Sequence, residues 1–513
     1  MPALVLLIAP LALALAAADA ARRPGRRPAH LIRGEAAALV ALGVAALGIV
    51  LLLAGGPADA VALGLGARLD AVSVAMLAVS AFVGWAVLRY ARTYLDGDDR
   101  QGRFQAGLCA ALAAVTAFVT AGGLVQLVLG FLATAVAINR LLRFFGHRAG
   151  ARRAAAKQAL AAAGAGACLL GAAALLAAGY DTLRIDAILL GASVLPAPQT
   201  VAAAILLALA ALLASAQMPF HGWVTDAMEA PTPVSALLHA GVVNAGGFLV
   251  IRFAPVMLDA PIVLAVLALA GGATALIAAL VMLTQPAVKT ALAWSTVAQM
   301  GFLLLQCGLG LFALALLHIA AHSVYKAHAF LSSGSAVQTI AADARPGAVA
   351  VPGPRAVLLS FLLALVIYAV GTALLGEADK PPQALALGAM LIFGTAYLVA
   401  QGLAEAAPRA LTIRTSLAAA AATVAYFALQ AGAEWWTRPS LPPVPAPGPL
   451  EWLVMILAVA GFGAVALAQA MLPLWAGHPA VRGLRIHLTN GLYADAAVER
   501  ALGLRMKATG DAP

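Results

Sequence analysis

Charge is scarce in this chain. Only 10% of its 513 residues are Asp, Glu, Lys or Arg, where a soluble domain carries about a quarter. That excludes a string of soluble domains and equally excludes a disordered chain. Cysteine is scarcer still. The three present, Cys109, Cys168 and Cys307, sit in apolar stretches without CxxC spacing. A disulfide framework and a thiolate metal site are thereby excluded, and the three cysteines do not disclose the compartment. No GxGxxG follows a strand-like run, so a dinucleotide site is missing too. No polar stretch is long enough to fold as a soluble domain. Any soluble chemistry must come from another chain, and this one is expected to have no catalytic chemistry of its own.

What is present is apolar. Hydrophobic residues make up 63% of the chain, and runs of about 20 of them recur from end to end, the length that crosses a bilayer as a helix. The composition describes an all-α polytopic membrane protein. About 15 transmembrane helices can be drawn, or about 14 if the two flanking Gly122 and Gly123 are one. They cover 2–20, 35–55, 70–88, 104–121, 122–139, 158–179, 199–217, 233–251, 261–284, 290–308, 311–338, 356–375, 383–402, 415–432 and 452–472. The first run lacks a basic leader, so it reads as a retained helix rather than a cleaved signal.

The net charge of +10 suggests nucleic acid, but the basic residues lie in short loops, where they set orientation instead. Loops after odd-numbered helices hold Arg22, Arg23, Arg26, Arg27 and Arg33, then Arg89 to Arg103, Arg140 to Lys157, Lys289, Arg345, Arg355, Arg409, Arg414 and the tail arginines. The opposite side holds Arg68, Arg184, Arg252, Lys380 and Arg438. This bias places the N-terminus outside and the tail in the cytoplasm. It also places the Pro-rich Glu434–Glu451 loop outside, with Trp435, Trp436 and Trp452 as interface markers. Leu183–Pro198 is too short to span and is expected to lie flat outside.

Three segments interrupt the apolar background. In SAQMPFHGWVTDAMEAPTPVSALLHAGVVN (215–244), Pro219, Pro231 and Pro233 remove backbone donors, so helices end or break there. Asp226, Glu229, His221 and His239 surround the break. A solvated helix–turn–helix accounts for Asp226 and His221; His239, inside an apolar helix, points to function. In LFALALLHIAAHSVYKAHAFLSSGSAVQ (311–338), His318, His322 and Lys326 are spaced i, i+4, i+8 and share one stripe, neighbours about 6 Å apart. A lysine near the bilayer centre costs about 2.5–3.5 kcal/mol, and histidine exchanges protons near neutral pH. The stripe fits a proton relay. HxxxH also fits two metal ligands, but no third ligand accompanies it and the ammonium opposes a cation. The third segment, KTALAWSTVAQ (289–299), opens on Lys289, either a snorkelling anchor or a relay member.

The phrases SAQMPFHGWVTDAMEAPTPVSALLHAG, KTALAWSTVAQMGF and HIAAHSVYKAHAFLSSGS resemble the proton-conducting, antiporter-like membrane subunits of respiratory complex I and of multi-subunit Na+/H+ antiporters. The resemblance implies an antiporter-like bundle with a hydrated axis. On it lie His239, His318, His322 and Lys326, with Lys289 as the bridging lysine and Asp226 and Glu229 at the approach. This sequence departs from complex I pumping subunits at three places. Ala214 stands where they carry a lysine, LVQLVLGFLATAVAINRLL has no glutamate, and 356–402 shows no broken helix with a lysine. HAGVVNAGGFLVIRF, HSVYKAHAFLSSGSAVQ and NGLYADAAVERALG resemble more closely the DabB family, the membrane subunits of bacterial two-part inorganic-carbon pumps.

That resemblance implies an ion-translocating subunit in the bacterial inner membrane, coupled to H+ or Na+. It implies a large cytoplasmic partner, DabA-like and similar to carbonic anhydrases, which carries the zinc; no cofactor is expected in this chain. The other reading is a proton-pumping subunit of a complex I-like or Na+/H+ antiporter assembly. Four regions follow: 1–103 N-terminal helices, 104–340 a proton-conducting core, 341–474 a shortened C-terminal set, and 475–513 a tail. Asn490 is expected to cap a tail helix whose apolar face lacks a domain of its own. Tyr493, Asp495, Glu499 and Arg500 are expected to dock it on the partner.

Overall fold

The computed structural model describes residues 2–22, 25, 28–334, 353–374, 380–402, 409–475 and 477–503. Arg23, Arg26, Arg27 and Arg345, used above for orientation, lie outside these, as do Arg505 and Lys507 of the tail. The chain is mostly helical. In order come α1 (Pro2–Ala21), α2 (Pro28–Gly55), a hairpin of β1 (Ala58–Ala62) and β2 (Leu65–Leu69), and α3 (Ala71–Tyr94). Next are α4 (Gln101–Val119), α5 (Leu124–Leu142), α6 (Ala149–Tyr180), α7 (Ile185–Val194) and α8 (Thr200–Ala214). Then α9 (Thr232–Ala240), α10 (Ala245–Arg252), α11 (Pro261–Met282), α12 (Val288–Gly308) and α13 (Phe312–Ser332) complete the core. Beyond it lie α14 (Pro354–Leu374), α15 (Pro382–Gly402), α16 (Arg409–Thr437), α17 (Pro449–Ala470), α18 (Arg482–Thr489) and α19 (Ala494–Ala501).

Among the described residues 12 helices are long and apolar enough to cross a membrane, α9 and α10 counting as one span over Thr232–Arg252. Each of the expected spans coincides with a helix. Three fall short of that measure as described. Helix α8 has 15 residues, the apolar part of α15 covers Pro382–Gly394, and α13 carries His318, His322, Lys326 and His328. Helix α6 starts earlier than expected, so Arg152, Arg153 and Lys157 are helical rather than in a loop. The alanine-rich run around them favours helix strongly.

Small residues set the packing. Helices α11 and α12 pack extensively, and a Cβ at Gly301 would meet the Gly271 carbonyl oxygen at 2.5 Å. One apolar core runs from Ala3 to Phe330 and takes in Leu488 of the tail. A separate cluster joins α11 and α12 to α15 and α17 through Ala268, Leu305, Leu387 and Val454. The Thr232–Arg252 span is the most enclosed, 83% buried over its apolar window. It lies against α3 and α13. Trp436, expected at an interface, instead donates from Nε1 to the Ala71 carbonyl at 3.0 Å, tying α16 to the start of α3.

Candidate functional site

The site begins at an interrupted span. Pro231 and Pro233 start α9, which ends at Ala240. Gly241 leaves helical geometry at φ −117°, ψ −69°, and a short turn over Val242–Asn244 leads into α10. The prolines announced the break at 215–231; the second one, inside the span, carries only Gly241 as its signal. Interrupted backbone at membrane depth needs partners, and here side chains supply them. Asn244 Nδ2 donates to the Ala240 carbonyl at 2.9 Å and to Ser323 Oγ at 3.0 Å. His322 Nε2 lies 3.1 Å from the His239 carbonyl oxygen.

The stripe on α13 forms as expected. The rings of His318 and His322 are 6.0 Å apart, and Phe302 flanks His318 at 5.7 Å. Lys326 is fully buried, with 0% of its surface exposed. Its ammonium donates to the Leu292 carbonyl on α12 at 3.1 Å, and among the described residues no carboxylate pairs with it. The same carbonyl accepts the Thr296 hydroxyl at 3.0 Å. That hydroxyl stands 3.1 Å from His239 Nδ1, and the His239 ring stacks on Phe330 at 4.3 Å. His239, Thr296, the Leu292 carbonyl, Lys326 and His322 thus form one polar network in an apolar interior. His328 is exposed on another face of α13. Lys289 sits at the end of the bundle where α12 begins. It donates to Thr232 Oγ1 at 2.8 Å, and Thr232 bonds Tyr94 at 3.3 Å.

Asp226 and Glu229 do not join that line. They belong to a charge cluster where α6 meets the break. Asp226 accepts from Lys157 Nζ at 2.7 Å and from Arg153 at 3.1 Å. Glu229 pairs with Arg148 at 3.2 Å on the surface. Carboxylates of Asp226, Asp495 and Glu499 converge within 4.8 Å of one another, and the Lys157 ammonium is the cation they hold, at 2.5 Å from Asp495 and 2.7 Å from Glu499.

The tail is therefore corrected on three points. Asn490 caps nothing with its side chain, which donates back to the Ile486 carbonyl. Gly491, Leu492 and Tyr493 all take left-handed φ, 57°, 53° and 57°, and turn the chain so that α19 returns to α6. The apolar face of α19 has a domain to pack against after all. Val498 and Leu502 share a cavity with Leu160, Leu213, Phe220 and Trp223. Asp495 and Glu499 are spent on Lys157, while Tyr493 and Arg500 stay exposed. Burial outweighs the pull of Lys157 and raises the Asp495 carboxyl above its ordinary range.

Sequence reasoning missed a buried network at the opposite end. Asp70 caps α3, accepting from Ser73 N at 2.7 Å. Arg252, at the end of α10, donates to Asp70 at 2.5 Å and to Ser73 Oγ at 2.6 Å. Arg68 donates to the same carboxylate at 2.6 Å and reaches Asp59 across the hairpin. Burial alone would raise the Asp70 pKa; Arg252 and Arg68 reverse that and hold it well below the usual carboxylate range. Counting Arg68 and Arg252 as loop charges hid this. The available signal was an aspartate three residues before a serine at a helix start, with an arginine closing another span.

These features define a class: a multi-pass membrane protein of antiporter-like fold with a buried lysine–histidine network. Residues 121–373 match the family described as NADH:quinone oxidoreductase/Mrp antiporter, TM, and residues 57–105 match the complex I chain 5 N-terminus. A chain of the Mrp complex from Dietzia sp. superposes with TM-score 0.64 at 23% identity, over 97% of this chain and 60% of that one. The probable inorganic carbon transporter subunit DabB2 of Halothiobacillus neapolitanus is 36% identical over 471 residues, 86% of this chain and 81% of that protein. NADH-quinone oxidoreductase subunit L of Mycobacterium tuberculosis is 30% identical over 349 residues, 64% of this chain and 55% of that one. The chain belongs to the DabB family.

Proposed function

We propose that this chain is the ion-translocating membrane subunit of an energy-coupled inorganic-carbon transporter, carrying H+ in a bacterial cytoplasmic membrane. The observation behind the proposal is Lys326, fully buried on the His318–His322 stripe with a backbone carbonyl as its partner. An uncompensated ammonium there costs stability, and a group that gains and loses a proton in turnover explains its retention. In this reading the proton passes among Lys289, Lys326, His239, His322 and His318. The N-terminus faces outward. Asp226, Glu229 and the tail face the cytoplasm, where a soluble, zinc-bearing, carbonic anhydrase-like subunit docks on Tyr493 and Arg500. This chain supplies the ion flow and the partner converts CO2 to bicarbonate.

A second reading, a pumping subunit of a quinone oxidoreductase or a cation/proton antiporter, draws on the subunit L relative. Ala214 and the acid-free α5 weigh against it, because complex I subunits resemble this chain but carry ionisable residues at those places. Expression with and without the partner subunit in a strain lacking carbonic anhydrase decides between them. Rescue of growth in air only when both are present is the expected result. Absence of rescue with both subunits in the membrane would overturn the carbon reading.

A further inference from the structure

Between α5 and α6 the flank of the bundle is cut by a groove of about 430 Å³. Leu132 and Val136 of α5 form one wall, and Ala159 and Ala163 of α6 the other. All four are exposed, so the groove opens outward along two apolar spans. The polar side chains inside it are already engaged. Asn139 Nδ2 donates to the Ala155 carbonyl at 2.6 Å and to Gln158 Oε1 at 2.8 Å. Gln158 Nε2 donates to the Ala135 carbonyl at 3.3 Å. One end of the groove differs. Arg140, in the last turn of α5, and Arg143, its C-cap, line it. Three residues apart, they share one face, and both are exposed. Neighbouring arginines are used inside the fold. Arg148 pairs with Glu229 at 3.2 Å, Arg153 pairs with Asp226 at 3.1 Å, and Arg152 donates to the His147 carbonyl at 2.9 Å. Among the described residues none pairs with the side chain of Arg140 or Arg143. Membrane orientation needs positive charge in the loop, in no particular geometry. It does not call for two unpaired guanidinium groups at the head of an apolar groove.

We propose that this groove binds one anionic phospholipid, with its phosphate between Arg140 and Arg143 and one acyl chain along Leu132, Val136, Ala159 and Ala163. Guanidinium groups donate in planar forks that match phosphate oxygens, and basic pockets between spanning helices take anionic headgroups. The length agrees. From Leu132 to the arginines the helix rises about 12–16 Å, close to half of a hydrocarbon layer about 30 Å thick. Each half of the site excludes other occupants. A soluble anion would meet the arginines and leave the groove exposed. An uncharged amphiphile would fill the groove and leave the arginines unpaired. A zwitterionic lipid adds an ammonium, and no acidic residue lines the groove to receive it. An amphiphile with a net negative headgroup uses both halves. The site holds whichever ion the chain carries. It also touches the tail's anchor, because Gln158 in the groove is followed back along α6 by Lys157, which holds Asp226 and Glu499 at 2.7 Å each.

Native mass spectrometry of the full chain, stripped of lipid in detergent, tests this. Phosphatidylglycerol is the probe, and phosphatidylcholine with the same acyl chains is the comparison. The expected result is one tightly held phosphatidylglycerol per chain, bound at least about tenfold more tightly than phosphatidylcholine. That comparison needs no substitution. Arg140→Gln with Arg143→Gln should weaken binding about 30-fold, the loss of two basic contacts to a headgroup. Ala159→Phe fills the groove without changing charge and should weaken it at least about tenfold. Arg103→Gln removes an exposed arginine that does not line the groove, and should change binding less than about twofold. Equal retention of the two lipids overturns the proposal. So does a loss in Arg103→Gln as large as in the double variant, which would reduce the arginines to diffuse charge. Glycerol phosphate competing as well as whole lipid would make this a phosphate-ester site and overturn the lipid. If Ala159→Phe keeps phosphatidylglycerol but lowers recovery of a co-expressed partner subunit, a protein segment fills the groove and the proposal fails.

Discussion

A buried lysine with no carboxylate partner among the described residues is a cost that stability alone does not explain. Replacing Lys326 with methionine removes the desolvation cost and keeps the packing. Lys326→Met should therefore raise the thermal midpoint in detergent, by the equivalent of about 1–3 kcal/mol. It should lower ion-driven uptake at least about 100-fold. A variant that is destabilised yet still active would remove Lys326 from the pathway. The conservative comparison is His328→Ala, which lies on the exposed face and should change uptake less than about twofold. The stripe itself was legible because four-residue spacing fixes one helical face whatever surrounds it. Thr296, Asn244 and Ser323 were not, because a hydroxyl or amide in an apolar helix has no periodic signature. Their roles come from which helix lies opposite, a matter of tertiary packing.

At the scale of elements, the chain is punctuated by features that titrate or pair. The segment between α8 and α9 buries His221 against Trp294, ring centroids 4.8 Å apart. Burial pushes the imidazole down to about 4. A depressed folded pKa gives stability that is present above the ordinary value near 6.5 and lost as pH falls toward 4. Hydrogen-exchange protection factors across 219–229 should therefore fall between pH 6.5 and 4, and in His221→Phe they should stay constant. Identical pH dependence in both proteins would show that His221 does not hold the segment. The hairpin end offers a different test. Arg252→Met leaves Asp70 facing Arg68 with half its compensation, and should destabilise by about 3–5 kcal/mol. Thermal unfolding reads this, and Arg252→Met with Asp70→Asn should recover part of the loss. The helices themselves were legible from run length. The Asp70–Arg252 pair was not, because 182 residues separate its partners and each alone looks like a loop charge.

For the whole molecule, the uneven placement of arginine and lysine makes orientation testable. Single cysteines introduced in the 438–448 loop should react with an impermeant maleimide in intact cells, and those at 144–148 should react only after permeabilisation. The opposite pattern would invert the protein. The tail shows where composition stops informing. An amphipathic segment with two acids and one arginine fits a partner, a lipid surface or its own bundle equally well. What decides is Gly222, where a Cβ would collide with the Asp495 carboxylate, and Lys157, which α6 carries to the same place. Neither is visible in the tail's own sequence.

Helix α3 and the interrupted span run antiparallel and are tied at both ends, by Tyr94 to Thr232 and by Asp70 to Arg252. A rod clamped at each end does not slide along its neighbour. If His239 lies on the ion path as proposed, a proton arriving there changes the span's shape at its break, Gly241–Asn244, and the displacement is sideways and local. Compliance is confined to one turn, and the ends keep their separation. Spin labels on the two ends should report a constant distance through the transport cycle, while a label beside Gly241 should change its environment with pH.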